Sequence, residues 1–131
     1  MTGDPIADML SRIKNAVTRN HETVEVPKSR TKERIAQILK AQGYITDYSV
    51  IDDRRQGLLM LYLKYSAPKR NAIAGVKRQS KPGRRVYVAK DEIPRVRRGL
   101  GLAVLSTTKG LLSGDDAKKA GLGGELLFTM W

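Results

Sequence analysis

The sequence has 131 residues, of which 40% are hydrophobic and 29% are charged, a balance typical of one folded domain or two small lobes. Its 25 Lys and Arg against 13 Asp and Glu give a formal net charge of +12, which predicts a polyanionic partner, nucleic acid above all. Because the sequence has no cysteine and His21 is its single histidine, thiolate and multi-histidine metal sites are excluded. We expect no metal and no cofactor.

An anionic membrane surface would also attract this charge. The sequence, however, contains no run of about 18 apolar residues and no leader of the signal-peptide type. We therefore expect a soluble cytoplasmic protein that has no membrane partner.

The first predicted element is an amphipathic helix. Asp4 and Pro5 are typical of a helix cap and a first helical residue, and apolar residues recur at helical spacing from there to about Asn20. The segment Thr23–Pro27 alternates in polarity and predicts a short strand.

A second helix and a hairpin are expected next. Ser29 predicts the start of the helix and Gly43 its end. Tyr44–Ile51 and Leu58–Tyr65 have strand-like patterns and are joined by a polar turn, so they predict a hairpin packed on the helices.

Short strands and turns dominate the rest of the sequence. We expect strands at Ala72–Gln79, Arg84–Ala89, Leu102–Ser106, Gly110–Leu112 and from Gly124 to the end. A short helix is predicted at about Asp115–Ala120, capped by Ser113 and ended by Gly121.

These elements predict an α+β fold with two lobes. Residues 1–65 form an N-terminal α/β lobe, with two helices packed on a small sheet. Residues 66–71 form a linker, and residues 72–131 form a C-terminal, mainly antiparallel β lobe with a short helix.

The basic residues are concentrated in the middle of the sequence. Residues 66–99 hold 11 basic and 2 acidic side chains, which is +9 of the +12. Arginine predominates, and its planar guanidinium suits bidentate contact with phosphate. A solvated loop is the alternative, but we favour a phosphate-binding stripe. Its residues are Lys69, Arg70, Lys77, Arg78, Lys81, Arg84, Arg85, Arg95, Arg97 and Arg98.

Catalytic patterns are not found in the sequence. A serine nucleophile would need His21 as its base, but His21 lies in an exposed-looking stretch between helices and no Gly-x-Ser-x-Gly motif is present. The glycine clusters do not have dinucleotide-binding spacing, and no phosphate-loop motif is present. We expect neither an enzyme nor a small-molecule substrate, and an RNA-modifying enzyme or a DNA-binding protein fits less well than an RNA-binding protein.

Three segments have the residues of an RNA-binding surface. Ser80–Tyr87 is a basic turn that leads into a strand with a tyrosine able to stack on a base. Ser106–Gly110 combines three hydroxyls, Lys109 and a glycine, and Gly123–Glu125 presents one carboxylate. Each has a structural alternative: a half-buried Tyr87, an ordinary turn, and a carboxylate that only balances a neighbouring cation.

Together these segments resemble the bacterial small-subunit ribosomal protein S8 family. The similarity runs from end to end through motifs in the same order. They are Asp4–Leu10 with Arg12, Ile13 and Asn15; Val26-Pro27 with Ser29 and Lys32; Ser80–Gly83 with Arg85–Tyr87; Gly99–Gly101; Ser106-Thr107 with Lys109-Gly110; and Gly121–Glu125. Thr108 departs from the family pattern, which usually has a second serine there, and Gln79 stands where an apolar residue is common.

The resemblance implies a ribosomal RNA-binding protein. It would be a structural constituent of the small subunit that binds and stabilises the central domain of 16S ribosomal RNA during 30S assembly, beside neighbouring small-subunit proteins. A regulatory RNA-binding protein that represses its own messenger RNA is the alternative. The main contacts would be Ser106, Thr107, Thr108, Lys109, Gly110, Glu125, Tyr87, Lys81, Pro82, Gly83, Arg84 and Arg85. Secondary contacts would be Asp4, Pro5, Ser11, Arg12, Lys28, Ser29 and Lys32.

Overall fold

The computed structural model describes residues 4–67 and 70–131. Packing divides them into an N-terminal unit, the described part of Pro5–Ala74, and a C-terminal unit, Gly75–Trp131 together with Asp4. Pro68 of the predicted linker and Lys69 of the predicted stripe lie outside the described residues. The lobe boundary at residues 66–71 stays a prediction.

Helix α1, Pro5–Thr18, packs one apolar stripe into the core of the N-terminal unit. The buried residues of this stripe are Met9, Leu10, Ile13 and Ala16. Asn20 ends the helical path with a left-handed φ of 56°. The amide of His21 then donates to the carbonyl of Ala16 at 2.9 Å, which closes the C-terminal turn in the Schellman arrangement.

Helix α2, Arg30–Ala41, has the boundaries that its end signals predict. The hydroxyl of Ser29 accepts a hydrogen bond from the amide of Lys32 at 3.1 Å and so satisfies one free donor of the first turn. At the other end Gly43 has a φ of +82°, a conformation that costs glycine little.

An antiparallel sheet completes the N-terminal unit. Its strands are β1 (Thr23–Pro27), β2 (Ile45–Ile51) and β3 (Leu58–Leu63), in the order β1-β3-β2. Val24 and Val26 of β1 are buried and alternate with exposed neighbours, as expected for a sheet with one face in the core. The predicted strand Leu58–Tyr65 ends earlier, because Tyr65 begins β4 (Tyr65–Ala67), which pairs with β5 (Arg70–Asn71).

The C-terminal unit is built around one antiparallel sheet. Its strands are β6 (Val76–Arg78), β7 (Tyr87–Val88), β8 (Leu102–Thr107), β9 (Gly110–Ser113) and β10 (Gly124–Met130). Strand β10 pairs with β8 along one edge and with β6 and β7 along the other, and β9 lies outside β8. Helix α3, Gly114–Lys119, contributes Ala117 to a core with Ala103, Leu105 and Leu126.

The α+β class predicted from the sequence is confirmed, but some strand boundaries are wrong. The strands predicted at Ala72–Gln79 and Arg84–Ala89 shorten to β6 and β7, since the chain leaves the sheet edge between them. A 3-10 turn, Lys90–Glu92, follows β7, and so does a turn at Val96–Gly99 in which Arg97 and Arg98 have left-handed φ values of 47° and 57°; neither was predicted. In the described part of the chain, no helix has the length and apolar character needed to cross a membrane.

Candidate nucleic-acid interface

Three of the predicted site residues form one row across the C-terminal sheet. Glu125 of β10 lies directly opposite Ser106 of β8 on one side and Tyr87 of β7 on the other. Directly opposed residues of antiparallel strands point to the same face. Their strand neighbours Leu105 and Leu126 pack in the core with α3, so the row lies on the opposite face of the sheet.

Two glycines allow the strands to meet at this row. A side chain at Gly124 would place its Cβ 2.1 Å from the carbonyl oxygen of Ser106, and one at Gly123 would place it 2.4 Å from that of Val88. No real Cβ fits at such distances. The glycine pair therefore allows β10 to start between β7 and β8, which brings Glu125 into line with Ser106.

The carboxylate of Glu125 is held by hydrogen bonds. Its Oε2 atom accepts from the hydroxyl of Ser80 at 2.5 Å and from Nη1 of Arg85 at 3.0 Å. Burial raises the pKa of Glu125, but these hydrogen bonds and the charges of Arg85 and Arg78 outweigh it, so the pKa lies below its ordinary value. Among the described residues, none donates to Oε1. Glu125 is thus ionised at neutral pH and keeps one oxygen for a partner.

Ser80 positions this carboxylate and was not among the predicted site residues. It is fully buried, and its hydroxyl accepts from the amide of Val86 at 3.1 Å while it donates to Glu125. Its position just before Lys81-Pro82-Gly83 was the signal available in the sequence, because a small hydroxyl residue is common at the base of a turn.

The predicted basic turn leaves the sheet between Ser80 and Val86. The amide of Lys81 donates to the carbonyl of Arg84 at 3.0 Å, and the amide of Arg84 donates back at 2.9 Å. Every residue from Lys81 to Arg85 is exposed. Cations that are held on a closed turn and exposed to solvent are suited to phosphate contact.

The turn between β8 and β9, which we call the hydroxyl turn, carries three hydroxyl residues: Ser106, Thr107 and Thr108. One of their hydroxyls closes the turn and the other two do not. Thr107 donates to the carbonyl of Gly110 at 2.8 Å and accepts from the amide of Lys109 at 3.1 Å, so its hydroxyl closes the turn. Gly110 has a φ of +95°. The hydroxyls of Ser106 and Thr108 have no hydrogen-bond partner within the described ranges, which leaves both available to a ligand.

Tyr87 is the aromatic residue of the row, and it is largely exposed. Its side chain is 71% exposed, so the alternative of a half-buried strand residue is wrong. Its neighbours Val86 and Val88 pack against the core and fix the strand. An exposed ring on a fixed strand offers a stacking surface to a base.

The predicted phosphate-binding stripe is not one continuous surface. Arg78 forms an ion pair with Asp4 at 3.0 Å in which the two side chains are only 11% and 17% exposed, so its role is structural. Arg97 lies 4.8 Å above the ring of Trp131. Trp131 follows the last residue of β10, whereas Glu125 lies near the first. That strand has seven residues and spans about 20 Å. Arg85 contacts Glu125 of the row directly, and the other cations of the basic turn, Lys81 and Arg84, are exposed.

The predicted secondary contacts differ in accessibility. In the N-terminal unit Pro5, Ser11 and Arg12 are exposed, and Arg12 forms an ion pair with Asp8 at 3.0 Å. Lys28 and Ser29 are half-buried, and Lys32 is only 6% exposed. Lys32 therefore presents little surface to a partner, while Ser29 already caps α2. Asp4 packs with the C-terminal unit, where it pairs with Arg78.

Comparison with known proteins places this chain in a family. A family model described as ribosomal protein S8 matches residues 4–131. Among similar proteins, the small ribosomal subunit protein uS8 of Syntrophomonas wolfei is 56% identical over 128 residues, covering 98% of this chain and 97% of the relative. The proteins of the same name from Caldicellulosiruptor bescii and Desulforudis audaxviator are 54% and 51% identical, with 98% and 100% of this chain covered and 97% and 100% of each relative. The chain belongs to the ribosomal protein S8 family.

Proposed function

We propose that this chain is a structural constituent of the small ribosomal subunit. Membership of the ribosomal protein S8 family supports this role, as do the names of the relatives, which call each of them a small ribosomal subunit protein. It would work in the cytoplasm, bound to ribosomal RNA and beside other small-subunit proteins, without catalysing a reaction and without a cofactor.

We further propose that the C-terminal unit binds the central domain of 16S ribosomal RNA and stabilises it during 30S assembly. The observation that carries this proposal is the row of Tyr87, Glu125 and Ser106 on one face of the sheet. It combines a ring, a carboxylate and a free hydroxyl, and Arg85 adds a cation bonded to that carboxylate. Stacking, hydrogen bonding and charge are the three means by which proteins recognise folded RNA.

Each group of the surface has a distinct task in this proposal. The hydroxyls of Ser106 and Thr108 bond to ribose 2′-hydroxyls or base edges, and Tyr87 stacks on an unpaired base. The free oxygen of Glu125 accepts from a base amino group or a 2′-hydroxyl. Phosphates are neutralised by the cations of the basic turn, Lys81, Arg84 and Arg85, and by Lys109 of the hydroxyl turn. Pro82 and Gly83 shape the basic turn, and Gly110 shapes the hydroxyl turn.

The ribosomal role is tested by sedimentation of cell extract through a gradient. The proposal expects the chain in fractions that contain small subunits and in those that contain complete ribosomes. If the chain is found only among free proteins, under conditions in which other small-subunit proteins sediment with their subunit, the ribosomal role is excluded.

The RNA-binding role is tested with Ser106→Ala and an isolated fragment of the 16S central domain. Loss of a hydroxyl that bonds RNA should weaken binding by about 1–3 kcal/mol. Thr31→Ala is the matched control, because Thr31 is an exposed hydroxyl residue on α2, and it should leave the Kd unchanged. If Ser106→Ala binds the fragment as tightly as Thr31→Ala, Ser106 does not contact this RNA.

A further inference from the structure

A groove in the N-terminal unit lies between α1 and the free edge of β1. It has a volume of about 480 Å³, within the roughly 300–1,000 Å³ of small-molecule binding sites. Arg12, Asn15 and Ala16 of α1 and Arg19 of the turn that follows it form one wall, and their spacing places them on one side of the helix and its last turn. None of the main contacts proposed above belongs to this groove.

The other wall of the groove is an unpaired strand edge. The amide of Leu63 donates to the carbonyl of Glu22, and the amide of Lys28 donates to that of Gly57. Antiparallel pairing alternates from residue to residue, so the main-chain groups of Thr23 and Glu25 point away from β3 toward the groove. Nη1 of Arg12 donates to the carbonyl of Glu25 at 3.4 Å, as this alternation requires.

This edge is too short to accept another β-strand. Arg12 already covers the carbonyl of Glu25, and Pro27, the next residue with outward main-chain groups, has no amide hydrogen. Within the described part of the chain, the groups left open are the amide and carbonyl of Thr23 and the amide of Glu25. A donor and an acceptor at this spacing suit the edge of a nucleobase, which carries both kinds of group side by side.

The remaining groove residues suit the other parts of a nucleotide. Ala16 and Val24 are buried and give the groove an apolar floor. The side chains of Asn15, Arg19 and His21 have no hydrogen-bond partner within residues 4–67 and 70–131. Arg19 and the open donors of Arg12 can contact phosphate, while the His21 ring or the Arg19 guanidinium can stack on a base.

The loop that carries His21 is fixed before any ligand arrives. The hydroxyl of Tyr65 donates to the carbonyl of His21 at 2.5 Å, and the amide of His21 donates to Ala16 at the end of α1. The groove is therefore already shaped, so binding would order few residues.

We propose that this groove binds one unstacked nucleotide of a single-stranded RNA segment, with the base against the edge of β1 and the flanking phosphates at Arg12 and Arg19. The inference rests on the proposed RNA-binding function and adds to it a site on the N-terminal unit, which includes Arg12, one of the predicted secondary contacts. The occupant is RNA and not an extended peptide, because the open strand edge is short and the two cations of the groove, Arg12 and Arg19, outnumber its one carboxylate, Glu25.

The test uses the isotope-labelled full chain and two probes of equal charge, a cytidine hexaribonucleotide and the same hexamer without bases. Nuclear magnetic resonance follows the side-chain amide of Asn15 and the backbone amides of Thr23 and Glu25. The hexanucleotide should shift these signals and bind about tenfold more tightly than the baseless hexamer, since stacking and base hydrogen bonds are lost with the base. Equal affinity of the two probes, or of an acidic hexapeptide, would overturn the proposal.

Arg19→Ala and Lys14→Ala give a matched pair of variants. Each variant loses one exposed cation, Lys14 on α1 and Arg19 in the turn just after it, but of the two only Arg19 lines the groove. Arg19→Ala should weaken hexanucleotide binding about three- to tenfold, and Lys14→Ala less than about twofold. Equal losses of hexanucleotide affinity in the two variants would contradict the proposed groove site.

The central-domain fragment separates this inference from the proposed function. If the fragment binds but the hexanucleotide shifts no groove signal, or shifts only Tyr87 and Ser106–Gly110, the groove proposal fails alone. If neither RNA binds, the proposed RNA-binding function fails with it.

Discussion

At the scale of single residues, Glu125 shows how neighbours decide what one side chain can do. An acidic residue in so basic a protein would serve poorly as a phosphate contact. Ser80 and Arg85 both bond its Oε2 atom, so the carboxylate is fixed in orientation and partly neutralised. The same contacts hold Arg85 beside the row, where it can also meet a phosphate.

The lowered pKa of Glu125 predicts how stability depends on pH. Its ordinary value is 4.5, and a group whose folded pKa is depressed stabilises the fold above that value and loses this contribution as the pH falls through the folded pKa. Below about pH 4.5 the wild type should therefore lose more unfolding free energy than Glu125→Gln, which has no charge to lose. The measurement is the unfolding free energy of both proteins in urea at a series of pH values from 7 to 3.

Asp47 does not affect the comparison between the wild type and Glu125→Gln. Its pKa is also lowered, mainly by the hydrogen bond from Lys40, but it titrates in both proteins and its contribution cancels. Parallel stability curves for the wild type and Glu125→Gln would show that the contacts of Glu125 do not stabilise the fold.

The close approach of strands at Gly124 predicts a large effect of one methyl group. Gly124→Ala would place a Cβ 2.1 Å from the carbonyl oxygen of Ser106, so β8 and β10 must move apart. We expect the variant to lose about 1–3 kcal/mol of unfolding free energy. Gly83→Ala is the control, because no atom lies within 4 Å of a Cβ there and its effect should stay within about 0.5 kcal/mol. Equal stabilities of the two variants in urea would refute the close approach.

The sequence indicated which residues to examine at the candidate site, but it did not indicate which residues they contact. Tyr87, Glu125 and Ser106 were selected for their types and for the motifs around them, and the sheet register brings them together. Arg78 was selected for its charge, yet it pairs with Asp4, 74 positions away. Such a distant partner depends on the packed fold, and local sequence patterns carry no signal for it.

At the scale of elements, helix ends were predictable because their signals are local. Ser29 and Ser113 cap α2 and α3 through their own hydroxyls, and Gly43 and Gly121 adopt the left-handed conformation just beyond the helices. A cap involves only residues within one turn of each other, so a short stretch of sequence specifies it.

The cap of α3 predicts a measurable loss on substitution. The hydroxyl of Ser113 accepts from the amide of Asp116 at 3.2 Å, and Ser113→Ala should cost about 1 kcal/mol of unfolding free energy. Ser11→Ala, on the exposed side of α1, should be neutral or slightly stabilising, because alanine favours a helix interior. Chemical denaturation compares the two, and an equal effect would mean that Ser113 does not stabilise α3.

Strand lengths in the C-terminal unit were harder to predict than helix ends. The residues from Ala72 to Ala89 have strand-like patterns, but only β6 and β7 pair with β10, because Lys81–Arg84 forms its own closed turn off the edge. Strand pairing depends on partners 35 or more positions away, so alternation alone overestimates the length.

At the scale of the whole molecule, the excess positive charge would account for the affinity of the proposed RNA binding but not for its selectivity. A net charge of +12 attracts any polyanion, and this attraction weakens as salt rises. Selectivity must come from groups that distinguish folded RNA from other polyanions. In the proposed function, the ring of Tyr87, the carboxylate of Glu125 and the hydroxyl of Ser106 are the groups that provide this selectivity.

The most direct test is the ratio of two affinities at about 0.15 M salt, that for the 16S central-domain fragment and that for a plain RNA duplex of equal length. We expect the fragment to bind about 10³-fold more tightly, the lower end of the range for specific recognition of nucleic acid, and Ser106→Ala to reduce this ratio while it leaves duplex binding unchanged. A ratio near one in the wild type would show that charge alone determines binding and would contradict a selective surface on the C-terminal unit.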